Sequence, residues 1–153
     1  MHRPGTFAWR LAMKELRSPF EKLAGCFHLA RITDKIRLHL AGKLSEDYEK
    51  LLFHPRGLDG YFMSHFQLSK EDLLEMVRSA ENDDDRVIAC FNRRMGGDEE
   101  KKKTWNERAV NLGKPGHPME RALAWARKEY DFDGADPSID STFKLIDWDE
   151  RRS

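Results

Sequence analysis

The chain is short of the features that usually fix a fold or a function from outside. Among 153 residues only Cys26 and Cys90 are cysteines, and neither has metal-ligand spacing around it. A disulfide framework and a zinc site are therefore excluded as organising devices. Two isolated thiols suit a reducing compartment, so the expected location is cytoplasmic. No apolar run approaches the ~20 residues needed to cross a bilayer, and no membrane partner is expected. Arg3, Arg10 and Lys14 near the start are not followed by a hydrophobic stretch and small residues, so no secretory signal is read there. Phosphate loops of the Walker or dinucleotide type, internal repeats and low-complexity tracts are missing as well. Alternating β-branched residues occur nowhere, which leaves no strand to expect.

Net charge is also absent, with 27 Lys/Arg against 27 Asp/Glu, but its distribution is uneven. Residues 1–44 hold nine basic and three acidic residues, and residues 45–153 hold eighteen and twenty-four. Two arrangements follow: the acidic part docks on the basic part within the fold, or a basic face stays open to an anionic partner. Overall neutrality favours the first. The basic surplus comes with no helix-turn-helix signature and no aromatic–basic sheet motif, so nucleic acid is not expected as a partner.

Helical signals run the length of the chain. Residues 1–6 read as disordered, and 7–152 as a single domain. Phe7–Arg17 is amphipathic. Ser18-Pro19-Phe20-Glu21 has the form of a capping box with proline at the first helical position, opening a short helix that Gly25 stops. After Phe27–Leu44 and Ser45–Tyr48, Asp59 is placed to cap a helix to Phe66. Ser69-Lys70-Glu71-Asp72 opens another to Ala80, burying Leu73, Leu74 and Val77. Asp84–Met95 carries Val87, Ile88 and Phe91. Lys101-Lys102-Lys103 reads as a solvated face ahead of Trp105, Ala109 and Leu112. Pro118–Tyr130 and Ser138–Asp147 complete the series. The expected fold is all-α, a compact single domain of roughly eight short helices.

Phe27–Leu44 is the informative stretch. At about 100° per residue, Leu29, Ile32, Ile36 and Leu40 form one apolar stripe. His28, Arg31, Lys35 and His39 fall within roughly 80° of each other beside it. Asp34 and Arg37 lie round the other side, and Gly42 continues the cationic row without a side chain.

The segments R-S-P-F-E-K-L-A-G, H-L-A-R-I-T-D-K-I-R-L-H-L-A-G-K-L and F-K-L-I-D-W-D-E-R resemble the bacterial domain-of-unknown-function family 5069 over Leu16 to Arg151. The family's polar positions fall on Arg31, Asp34, Lys35, Arg37 and Gly42, and its ending on Ile146, Asp147, Asp149 and Glu150. Ala30 stands where proline is usual and Arg151 where glycine is usual. The resemblance implies a bacterial origin and one compact domain, and no activity.

Three functions are open to this pattern. A binding module would use Arg31, Asp34, Lys35, Arg37, His39 and His28 on a small anionic metabolite or an acidic protein segment. Arg31 would grip the acid bidentately, Lys35 would add a point charge, and Gly42 would allow close approach. A small enzyme would use His28 or His39 for acid–base chemistry beside Arg31 and Lys35, oriented by Asp147 or Asp149. A structural protein would satisfy the same charges internally with Asp147, Asp149 and Glu150. Cys26-Phe27-His28 is too tightly spaced for a nucleophile–base pair, and Asp147-x-Asp149-Glu150 lacks the glycine and loop of a calcium hand. No metal or cofactor is expected. The tryptophans read as packing residues.

Overall fold

The computed structural model describes residues 16–129 and 136–150. The expected disorder at 1–6, most of the Phe7–Arg17 helix, Trp9, Tyr130 and Arg151 lie outside them. Eight helices are present among the described residues: α1 (Leu29–Leu40), α2 (Glu46–Leu51), α3 (Leu58–Phe66), α4 (Lys70–Ala80), α5 (Asp84–Met95), α6 (Glu99–Ala109), α7 (Glu120–Glu129) and α8 (Thr142–Asp149). The protein is all-α apart from one small ribbon.

That ribbon corrects two expectations. The helix read from Ser18 does not form, and two two-residue strands appear where none was expected, β1 (Lys22–Leu23) and β2 (Cys26–Phe27). They pair antiparallel, Lys22 with Phe27 and Leu23 with Cys26. Ser18 does accept a local hydrogen bond, from the Phe20 N–H at 3.1 Å, while the Glu21 N–H reaches the Ser18 carbonyl at 3.0 Å. The same residue types that cap a helix here close a turn. Ala24, Gly25 and His28 then take positive φ (54°, 77° and 73°), which no helix accommodates.

Helix α1 sits at the centre. Leu29, Ile32 and Ile36 are completely buried, each worth ~1.5–3 kcal/mol of transfer free energy. Leu40, assigned to the same stripe, is exposed near the helix end. Helix α4 packs on α1 and α5, α3 packs on α6, and α6 packs on β2. An aromatic cluster of Phe62, Phe66, Phe91 and Trp105 fills the space between them, with ring centroids 4.9–6.2 Å apart. The Ser69 capping box is present in full, with Ser69 and Asp72 exchanging hydrogen bonds at 3.0 and 2.9 Å. Asp84–Met95 forms with the bounds read from the sequence.

The lysine run departs from expectation at its middle member. Lys102 is buried and donates to Asn92 Oδ1 at 2.6 Å, its stem covering core edge rather than lying in water. Gly42 ends α1 in the left-handed region, φ 71°, with nothing near the position of a Cβ. It is a helix stop, not a point of close approach. Gly60 is the reverse case, since a Cβ there would come within 2.4 Å of the His54 carbonyl oxygen and 2.5 Å of Pro55. Its absence lets the first turn of α3 sit directly on the 54–55 loop, which fixes its neighbour Asp59.

Candidate functional site

The N-terminal end of α1 carries the site. His28 is the cap residue, in a left-handed conformation (φ 73°, ψ −21°) that costs a non-glycine residue about 1–3 kcal/mol. Three contacts hold it there. The His28 N–H donates to the Pro19 carbonyl at 3.0 Å. The Phe27 N–H donates to Asn106 Oδ1 at 2.9 Å, and the Phe27 carbonyl accepts from Trp105 Nε1 at 2.8 Å. The ribbon and α6 thus set the direction in which the His28 ring leaves the backbone.

From this end α1 sends its charges to two places. On one side, His28, Arg31 and Lys35 are 0%, 3% and 5% exposed and line a cavity of about 420 Å³. On the other, Asp34 and Arg37 join a separate network: Arg17 donates to Asp34 at 2.9 and 3.0 Å and to Asp84 at 2.9 Å, and Arg37 donates to Asp84 at 2.8 Å. That network ties the segment before the ribbon to the start of α5, and its two carboxylates hold the Arg17 guanidinium above its ordinary pKa. His39 pairs with Glu49 of α2 at 2.8 Å. Asp34, Arg37 and His39 therefore lie outside the cavity, and the six residues read as one site divide into three and three.

The cavity wall is organised by a residue that the sequence reading used only as a helix cap. Asp59, in the first turn of α3 whose cap is Gly57, is 1% exposed. Lys35 Nζ donates to its two oxygens at 2.7 and 2.8 Å, His28 Nε2 lies 2.7 Å from Oδ1, and the Phe53 N–H donates to Oδ2 at 3.1 Å. Burial alone would raise the pKa of Asp59, but Lys35 and His28 outweigh it, and the carboxyl stays ionised well below the usual range. Burial draws Lys35 below the usual lysine range against the pull of Asp59. Burial likewise drives His28 down to about 4, with Asp59 opposing. At neutral pH the ring is uncharged. An ionised Asp59 only accepts, so Nε2 carries the proton, and Nδ1 presents a lone pair that meets no partner among the described residues.

Beside this triad, Arg31 is gripped by the last turn of the structure. Its two terminal nitrogens donate to Glu150 Oε1 and Oε2 at 2.9 and 2.5 Å, a bidentate pair with side chains 4% and 1% exposed. Tyr48 of α2 donates to Glu150 Oε2 at 2.8 Å, and the guanidinium lies 5.9 Å from the centre of the Tyr48 ring. Burial would lower the Arg31 pKa, yet Glu150 holds it above the ordinary value. Burial, then Glu150, pushes the Tyr48 phenol up, so it stays a donor. Ser18 donates to Asp147 at 3.0 Å, a second tie between the early chain and α8. The acidic C-terminal part does dock on the basic early part, as one of the two charge arrangements required.

The remaining lining is mostly apolar, with Leu51, Leu58, Met119, Ala126, Leu145 and Ile146 from α2, α3, α7, α8 and the turn before α7, beside the polar Asp47, Thr142 and Asp149. The volume falls at the small end of the roughly 300–1,000 Å³ range of ligand pockets. No grouping of three or more His, Cys, Asp or Glu fit to hold a metal occurs among the described residues. No described helix is long and apolar enough to cross a membrane. Cys26 is fully buried, and desolvation pushes its thiol up to about 12, which removes it as a nucleophile. Of the site, the sequence reading missed Asp59 as an organiser and Tyr48 altogether. The only trace of Asp59 in the sequence is an acid followed directly by a glycine, Gly60, whose tight packing only the structure shows.

A search of curated proteins returns no match. A family model covers residues 13–152, and with that match spanning nearly all of the sequence, the chain belongs to the family described as Domain of unknown function (DUF5069).

Proposed function

We propose that this protein is a binding module for a small ligand with an acidic group and an apolar body, taken into the cavity under the first turns of α1. One observation carries the reading: Arg31 and Lys35, adjacent on a helix face and almost wholly buried, line a cavity whose remaining wall is mostly apolar. Each cation is paired, Arg31 with Glu150 and Lys35 with Asp59, which is the internal satisfaction a structural protein would use. What a structural role leaves without a purpose is the cavity kept open beside them. A cytoplasmic bacterial setting belongs to the same proposal. The test is a thermal-shift screen of small organic acids on wild type, Arg31→Ala and Ala126→Phe. An acid that binds only the native state raises the melting temperature of wild type. Ala126→Phe fills the cavity without touching a charge, so it loses the shift even where Arg31→Ala folds poorly. Equal shifts in wild type and Ala126→Phe, or none in wild type, refute the reading.

One observation favours a second reading, an enzyme. The 2.7 Å contact from His28 to a buried carboxylate, with the opposite ring nitrogen unpartnered, is an acid–base arrangement. With its pKa near 4 the ring is a weak base at neutral pH, so it serves first as a hydrogen-bond acceptor. Turnover of a bound acid that is abolished in His28→Asn, a residue that tolerates the left-handed backbone, would favour the enzyme.

A further inference from the structure

Resting on the binding reading above, we infer that the ligand's acidic group is a carboxylate and that its seat is the place Glu150 now fills on Arg31 and Tyr48. The seat is complete without Glu150: a planar guanidinium with two parallel donors and a phenol O–H converge on one carboxylate. This is the geometry by which arginine recognises a two-oxygen planar acid. The seat's present occupant comes from the wrong end of a helix. Glu150 caps the C-terminus of α8, after Asp147 and Asp149 in the last turn, where no basic residue lies. Carboxylates there oppose the helix dipole. The donors that hold the Glu150 carboxylate against this opposition stand on α1 and α2. A free carboxylate meets the same donors without that opposition, and the apolar side chains of Leu51, Leu58, Leu145 and Ile146 are there to receive its tail.

Charge selects the class of acid. The two cations of the cavity lining are each already matched by a carboxylate, Arg31 by Glu150 and Lys35 by Asp59, and Asp47 stands beside them. When Glu150 swings out, a monocarboxylate restores the same balance. A phosphate monoester, at about −1.5 to −2 charge near neutral pH, adds further negative charge to an already acidic lining. Lys35 does not relieve this, since its charge is already matched by Asp59, which takes two of its three donors. The ligand class is therefore a monocarboxylate with a short apolar tail, and its binding is an exchange of one carboxylate for another.

The exchange is tested by calorimetric titration of hexanoate and hexyl phosphate into wild type and Glu150→Ala at fixed ionic strength. Removing the tethered competitor, whose effective concentration is in the millimolar range or above, tightens hexanoate roughly tenfold or more. Hexyl phosphate binds each protein more weakly than hexanoate. Hexanoate binding both proteins with equal affinity overturns the exchange and leaves the binding reading standing where Ala126→Phe abolishes that binding, because the acid then sits elsewhere in the cavity. Hexyl phosphate binding as tightly as hexanoate overturns the carboxylate assignment. Neither acid binding either protein overturns the binding reading and this inference together. Glu150→Gln, which keeps the shape and loses the charge, carries the same comparison with the same outcomes if Glu150→Ala does not fold.

Discussion

Replacing Asp59 with asparagine probes the part of the wall that everything else leans on. The carboxylate accepts from Lys35 Nζ twice, from His28 Nε2 and from the Phe53 N–H, all within 2.7–3.1 Å. Asparagine keeps the shape but offers one acceptor in place of two, and its amide faces groups that are themselves donors. Lys35 is then a buried ammonium without a counter-ion. Breaking a buried pair from one side costs about 3–5 kcal/mol, chiefly the stranded charge. For a chain of this size that lowers the melting temperature by roughly 10 °C. Urea denaturation of wild type, Asp59→Asn, Lys35→Met and the double variant measures it. The double variant recovers about 2 kcal/mol or more over Asp59→Asn, because it removes the stranded charge instead of creating it. An Asp59→Asn cost under about 1 kcal/mol, or a double variant no better than the single, would mean that Lys35 is not stranded by the loss of Asp59.

Acid weakens the same wall. The unfolded His28 takes a proton near 6.5 and the folded one only near 4, so between those values the unfolded chain binds more protons and stability falls as pH falls. The loss from this group is about 3 kcal/mol by pH 4, and Asp59, depressed in the folded state, extends it below its unfolded pKa of 3.8. Urea midpoints at pH 7, 5.5 and 4 follow the loss, and a flat profile for wild type contradicts a buried neutral histidine. In the native protein iodoacetamide leaves Cys26 unmodified, the thiol being buried and raised to about 12, and labels it only after denaturation. Rapid native labelling of Cys26 would show that the ribbon opens. Gly60→Ala lowers stability by about 1–3 kcal/mol, because backbone atoms of His54 and Pro55 stand where the methyl would go. A neutral melting curve would refute that packing.

What the sequence revealed follows a physical division. Periodicity is local, so Leu29, Ile32 and Ile36 marked the inner face of α1, and the Ser69–Asp72 box marked the start of α4. His28, Arg31 and Lys35 were legible as a cationic edge for the same reason. Their separation from Asp34 and Arg37 was visible on the helical wheel, but what each side meets was not. Asp59 reaches Lys35 and His28 across 24 and 31 residues, and Tyr48 reaches Glu150 across 102. No spacing rule spans such distances. Ser18-Pro19 misled because a serine oxygen satisfies a turn N–H as readily as a helical one. Lys102 misled because a long stem can lie along apolar surface while its head finds an asparagine.

The binding proposal places a small acid against Arg31 in the cavity beneath α1. The chain has five isoleucines, and Ile146 alone among them lines the cavity, whereas Ile32, Ile36, Ile88 and Ile139 do not. A methyl NMR titration of isoleucine-labelled protein with hexanoate reads the claim directly. The expected result is a saturable shift at Ile146 far larger than at Ile88 or Ile139, and its loss in Ala126→Phe. Hexanoate leaving Ile146 unmoved, or shifting all five methyls alike, would contradict it.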